Sequence, residues 1–197
     1  LLLRLEADQA DLFANVHHIV YDGWSQGVLS QELAALYEAG AARVDATPRS
    51  PLPELAIQYA DFAVWQRDWF CGKPLETQLS YWRSQLADVP VVRRPADRPA
   101  PAFQTYQGRS CELSLPEELG VDLRRLSSGT GVTLFMSLLA SFLVLLERLT
   151  GQQDLVVGSP IANRNRHEIE DLIGFFVNTL VLRGDLSGDP AFPELLG

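Results

Sequence analysis

The stretch from Thr133 to Leu149 constrains the fold most strongly, because its 17 residues are almost all apolar, broken only by Ser137 and Ser141 before the charged pair Glu147-Arg148. A membrane span needs about 20 such residues. This one is too short and reads instead as a helix buried in a core. A strand is expected after it from Asp154 to Ser159, and a second over Phe175 to Arg183 beyond a polar loop at 163–166. Helices set between strands predict a layered α/β fold.

The rest of the chain fits that frame. Leu1 to Leu5 looks like the middle of a strand, and Asp11 to His18 reads as a buried strand. Leu29, Leu33, Leu36 and Tyr37 recur at helical spacing, so a helix is expected over Ser25 to Glu38, with Ser25 as its N-cap. Asp45 to Pro53, with three prolines, is a linker. Helices are predicted over Pro53 to Phe70 and Leu75 to Leu86. A stiff proline-rich connection follows from Val89 to Phe103, then a strand over Cys111 to Leu115 and a helix opened by Pro116. The last residues from Phe192 begin a helix that is cut off, so the sequence reads as an excerpt from a longer polypeptide.

Composition excludes some functions. A net charge of −9, with no cluster of Lys or Arg, argues against binding nucleic acid. Apolar residues at 47% and charged residues at 21% give a globular balance, without a membrane segment. Cys71 and Cys111 stand apart with no CxxC, which suggests free thiols and a cytoplasmic setting.

The chemistry centres on His17-His18-Ile19-Val20-Tyr21-Asp22-Gly23, which holds two of the chain's three histidines. Neighbours on a strand point to opposite faces, so His17 and His18 make poor partners for one metal ion, and no further His or Cys pair lies nearby. Two readings stay open from spacing alone. The pair is either two semi-buried histidines at a strand end, or one imidazole does acid–base work. In the second case the positive end of the following helix favours the neutral, proton-accepting ring. Asp22 is close enough to fold back as an orienter or to anchor an arginine, and Gly23 permits a tight turn and close approach of a ligand. Asn178 interrupts an apolar strand and reads as a buried amide, which needs partners and is either tied into a loop network or reaches a binding tunnel. Tyr59, Asp61 and Trp65 lie at apolar helical spacing and read as core packing with a polar anchor. Arg164 and Arg166, with His167 and the acidic residues after them, look like a solvated charged loop.

HHIVYDG matches HHxxxDG, and with three further stretches it resembles the condensation-domain family of nonribosomal peptide synthetases, within the chloramphenicol acetyltransferase-like acyltransferases. The other stretches are IQYADFAVWQ (57–66), VVGSPIANR (156–164) and IGFFVNTLVLR (173–183), in the family's order. The resemblance implies a two-lobed chloramphenicol acetyltransferase-like fold present in part, with residues 1–46 ending the first lobe and 51–197 forming much of the second. It implies that His18 faces a tunnel where a carrier-bound thioester meets a carrier-bound amine. His17 packs away, Asp22 holds the loop through an arginine of the absent early lobe, and Gly23 lines the site. Trp24, Ser25, Tyr59, Trp65, Arg164 and Asn178 are then tunnel or supporting residues.

The same resemblance implies no metal and no directly bound cofactor. The 4'-phosphopantetheine arrives on upstream and downstream peptidyl carrier domains, with an adenylation domain adjacent in the same polypeptide. The alternatives are an epimerization domain and a partner-recruiting platform of the same fold. A free α-amino group has a pKa near 8, so neutralising it at pH 7 costs only about 1–1.5 kcal/mol. Orienting the amine therefore matters more for His18 than creating the nucleophile.

Overall fold

The computed structural model describes residues 1–41, 50–93, 96 and 101–196. Most of the expected linker at 45–53, and part of the connection at 89–103, lie outside the described residues. The chain divides into two compact units, one made of Leu1–Tyr81 and Ser159–Leu180, the other of Trp82–Gly158 and Val181–Gly197.

In the first unit, β1 (Leu2–Arg4) pairs antiparallel with β2 (Ala10–Leu12), with Leu2 opposite Leu12. The strand expected over Asp11 to His18 is thus much shorter. Its last bond to β1's side is the Phe13 N–H donating to the Leu1 carbonyl at 2.8 Å. From Ala14 to His17 the backbone pairs with no strand among the described residues. A 3-10 turn, His18–Val20, leads to α1 (Gly23–Ala41). Ser25 does not cap this helix. The Asp22 carboxylate does, with Oδ1 accepting the Ser25 N–H at 2.8 Å, and Ser25 sits in the first turn.

The helix α2 (Tyr59–Trp69) starts later than the expected Pro53. Its start is set by Asp61, whose Oδ2 accepts the Gln58 N–H at 2.8 Å, the reciprocal bond of a capping box. A core of Phe62, Ile169, Leu172 and Phe176, with Ile57 and Tyr59 against it, joins α2 to the 169–176 segment. The helix α3 (Gly72–Gln85) follows α2.

In the second unit, α4 (Glu117–Thr130) ends at Gly131 with φ 73°, a left-handed stop that favours glycine. The helix α5 (Leu134–Thr150) is capped by the Thr133 hydroxyl and stopped by Gly151 at φ 69°. Ser127 and Ser137, both buried, share a hydrogen bond of 2.8 Å where α4 meets α5. No single helix among the described residues is long and apolar enough to cross a membrane. The core helix expected at 133–149 buries one side only, through Ser137, Ala140 and Leu143. Phe135, Leu138, Phe142, Leu145 and Leu149 form an exposed stripe along it.

The strands β3 (Asp154–Ile161) and β4 (Asn178–Asp185) pair with each other. Leu143, Leu155 and Leu186 form the second unit's core. Arg183 grips Asp154 through two bonds of 2.8 and 2.6 Å and also donates to the carbonyls of Gln85 and Ala87. Cys111 to Leu115 is not a strand, for among the described residues no neighbour pairs with it, and Leu113 is 84% exposed. The terminal helix α6 (Phe192–Leu195) is short.

Candidate functional site

The site is built in the first unit, around the loop that carries the two histidines. His17 accepts the Ile19 N–H at Nδ1, 3.0 Å away, which requires a neutral ring with its proton on Nε2. That bond fixes His17 as the cap of the 3-10 turn. His18 is exposed, and among the described residues its imidazole has no hydrogen-bonding partner. Its ring meets the ring of Phe175 at 5.3 Å between centroids and 84° between planes.

Four residues later Asp22 is buried, and so is its arginine partner, which is Arg164. The side chains of both are fully shielded from solvent, at 3.2 Å from Nη2 to Oδ1. This corrects two expectations. The arginine is not supplied by an absent lobe, and Arg164 is not part of a solvated loop. Asn163, in the left-handed region at φ 54°, turns the chain just before Arg164. Asparagine tolerates that conformation better than most residues. The guanidinium then lies 4.1 Å from the Phe176 ring centroid, and Nη1 donates to the Leu172 carbonyl at 2.7 Å. Its Nε is buried without a partner among the described residues.

Ser25 ties the pair to the 172–176 segment. Its hydroxyl lies 2.8 Å from Asp22 Oδ1 and 2.9 Å from the Gly174 carbonyl, and it accepts from Arg164 Nη2 at 2.9 Å and from the Gly174 N–H at 3.0 Å. The Phe176 N–H donates to Asp22 Oδ2 at 3.0 Å. Burial alone would raise the Asp22 pKa. The N–H groups of Phe176 and Ser25, the Ser25 hydroxyl and Arg164 outweigh it and hold the carboxyl below its ordinary value.

The other expected residues fall at different distances from this network. The Trp24 indole N–H donates to the Glu170 carbonyl at 2.8 Å, and the Tyr59 hydroxyl donates to the Phe175 carbonyl at 2.8 Å. Both therefore hold the same returning segment. Trp65 stands apart, stacked on Trp69 and covered by the Arg166 guanidinium at 4.6 Å. Asn178 is exposed, with its Oδ1 accepting the Thr179 N–H at 2.8 Å, so it is not the buried amide expected. Gly23 opens α1 without a left-handed φ, so its turn does not need glycine. Among the described residues nothing lies within 4 Å of where a Cβ would project from Gly23. Sequence reasoning did not single out Gly174 and Phe175 within the stretch 173–183; the glycine itself was the one signal there, marking a close approach of the backbone.

The family model for condensation domains matches residues 1–197, and the chain belongs to the condensation-domain family. It is 51% identical over 199 residues to one of the linear gramicidin synthase proteins of Brevibacillus parabrevis, covering 99% of this chain and 4% of that protein. It is 47% identical over 197 residues to the phosphinothricin tripeptide synthetase PhsC of Streptomyces viridochromogenes, covering 100% of this chain and 18% of that protein. The chain thus spans a small part of these relatives. Among solved structures, the X-domain from teicoplanin biosynthesis superposes with a TM-score of 0.82 at 28% identity, covering 92% of this chain and 40% of that one. The first condensation domain of the calcium-dependent antibiotic synthetase, solved with a substrate analogue, gives a TM-score of 0.72 at 25% identity, covering 92% and 41%. The α/β chloramphenicol acetyltransferase-like fold expected from the sequence is the one these structures share, and this chain contains part of it.

Proposed function

We propose that this chain carries the acyl-transfer centre of a nonribosomal peptide synthetase condensation domain. A carrier-bound aminoacyl amine attacks the carbonyl of an upstream carrier-bound acyl thioester. The C–N bond forms, the C–S bond breaks, and the amine proton passes by way of His18 to the departing thiolate. The observation that carries this reading is the histidine loop. Asp22, Ser25 and Arg164 lock it from below, while the exposed His18 imidazole keeps its hydrogen-bonding capacity free for substrates. Family membership and the similarity to a gramicidin synthase and a tripeptide synthetase support the choice of carrier-bound substrates.

His18 orients the amine and receives its proton, while His17, spent on the Ile19 N–H, stays a structural cap. Gly23 leaves open space for a substrate. Trp24, Ser25, Tyr59 and Arg164 support the loop. The 4'-phosphopantetheine arms belong to the upstream and downstream carrier domains and enter as substrate. An adenylation domain in the same polypeptide would load them, and the reaction would take place in the cytoplasm.

The test uses the complete domain with loaded donor and acceptor carrier proteins, followed by intact-protein mass spectrometry. Acceptor-bound dipeptide from wild type that nearly vanishes with His18→Ala is the expected result. Deuterium wash-in at the α-carbon without amide formation would mark an epimerization domain instead. His18→Gln should keep more activity than His18→Ala, since it can still hold the amine by a hydrogen bond. Equal losses would show that proton transfer outweighs positioning.

A further inference from the structure

Because the His18 imidazole has no hydrogen-bonding partner among the described residues, its orientation in the free protein has to come from packing. The ring against it is that of Phe175, edge-on at 84°. Phe175 is held unusually firmly for a residue that is 38% exposed. On one side, the Gly174 N–H donates to the Ser25 hydroxyl at 3.0 Å, and the Gly174 carbonyl lies 2.9 Å from the same oxygen. On the other, the Phe176 N–H is bound by Asp22. Between them the Phe175 carbonyl takes the Tyr59 hydroxyl at 2.8 Å. A Cβ on residue 174 would overlap the Tyr59 ring, so glycine there is what lets the tyrosine lie close enough to reach that carbonyl. Three consecutive residues are thus fixed through their backbones, and the Phe175 ring is what they present to the histidine.

We infer that Phe175 is a positioning residue for His18, transmitting the rigidity of the Asp22–Ser25–Arg164 network to the imidazole through an aromatic edge contact. The inference rests on the proposed function for its kinetic consequence, but the contact itself can be tested without it. Asp22 and Arg164 make no hydrogen bond to the imidazole. Their effect on it runs through the 174–176 backbone and ends in the Phe175 ring.

The experiment takes the complete domain with its loaded carrier proteins and compares wild type, Phe175→Leu and Phe175→Tyr. Phe175→Leu should lower kcat about three- to tenfold, the size of one lost aromatic contact, with KM for either carrier changed less than about twofold. Phe175→Tyr keeps the ring and should stay within about twofold of wild type. An unchanged kcat in Phe175→Leu, or a rise in KM alone, overturns the inference. In parallel, the His18 imidazole resonances are followed by NMR. Loss of the Phe175 ring current should shift them in Phe175→Leu and leave them close to wild type in Phe175→Tyr. Unshifted resonances in Phe175→Leu overturn the contact whatever the activity. If wild type forms no amide, the proposed function fails while the NMR comparison still decides the contact. Should a thermal scan show Phe175→Leu unfolded, Phe175→Met, which fills similar space without a ring, takes its place.

Discussion

Removing Arg164 tests the site most directly, because one side chain holds several parts of it. Its Nη1 serves the carbonyls of Ile169 and Leu172 at 2.5 and 2.7 Å, and its Nη2 serves Ser25 and Asp22 at 2.9 and 3.2 Å. Breaking a fully buried ion pair by deleting one partner costs about 3–5 kcal/mol. The lower end applies here for two reasons. Asp22 keeps the Ser25 N–H, the Ser25 hydroxyl and the Phe176 N–H as donors when the arginine goes. The unpartnered Nε also means that the intact pair already carries a desolvation penalty. We therefore expect Arg164→Ala to ease local opening of the loop by about 3 kcal/mol, or about 100-fold in the exchange rate of the amides it protects. Hydrogen exchange on the complete domain should show that loss at Ser25, Gly174 and Phe176, with the Leu186 amide bonded to Gln153 unchanged as an internal control. Arg164→Lys should recover little of the protection, since an ammonium cannot span the acceptors that the guanidinium fork serves. Protection within about threefold of wild type for Arg164→Ala, or full recovery with lysine, would refute the reasoning.

Acid should loosen the same loop. Asp22 has a lowered pKa in the folded chain, so folding there is favoured above the ordinary carboxylate value of about 3.9, and that contribution is lost as pH falls below it through the folded value. Phe176 amide protection measured from about pH 6 to 2.5 should fall in this window, and Asp22→Asn should lack that pH-dependent component. Gly174→Ala should destabilise the complete domain by about 1–3 kcal/mol in urea unfolding, as overpacking does. The new Cβ meets the Tyr59 ring, which is tethered at its hydroxyl and cannot swing aside. Tyr59→Ala in the Gly174→Ala background should return part of that loss, whereas simple additivity would disprove the clash.

What the sequence made legible was local, and what it hid was long-range. The apolar run of α5 and the strands around 155 and 181 announce themselves through neighbours a few residues away. The segment leading to His18 is an example, since a pattern of side chains reports which residues can lie in a sheet and not which strand they pair with, and it did not give the short pairing of β1 with β2. Arg164 was misread for a related reason. It lies among polar residues, and only Asp22, 142 positions earlier, turns it inward. Asn178 went the other way, since an amide inside an apolar run looks buried, yet the Thr179 N–H satisfies it at the surface. A signal for the Asp22 network was present in the D-x-x-S spacing, an acid three residues before Ser25, which is the pattern of an N-cap.

That network also settles a choice the motif leaves open. An aspartate four residues after a histidine could orient the ring directly, as an acid does for a base in many active sites. Here Oδ1 is shared by the Ser25 N–H, the Ser25 hydroxyl and Arg164, and Oδ2 takes the Phe176 N–H. The carboxylate is spent on the backbone and on the arginine, and it makes no hydrogen bond to His18. Its charge therefore does not act on the imidazole through a shared proton. This suits the chemistry proposed, because an α-amino group near its own pKa needs little help to lose a proton and much help to arrive in line with a thioester. On the proposed reading the two halves of HHIVYDG divide the labour: Asp22 builds a rigid floor, and His18, against the Phe175 ring and without a hydrogen-bonding partner among the described residues, is left for the substrates.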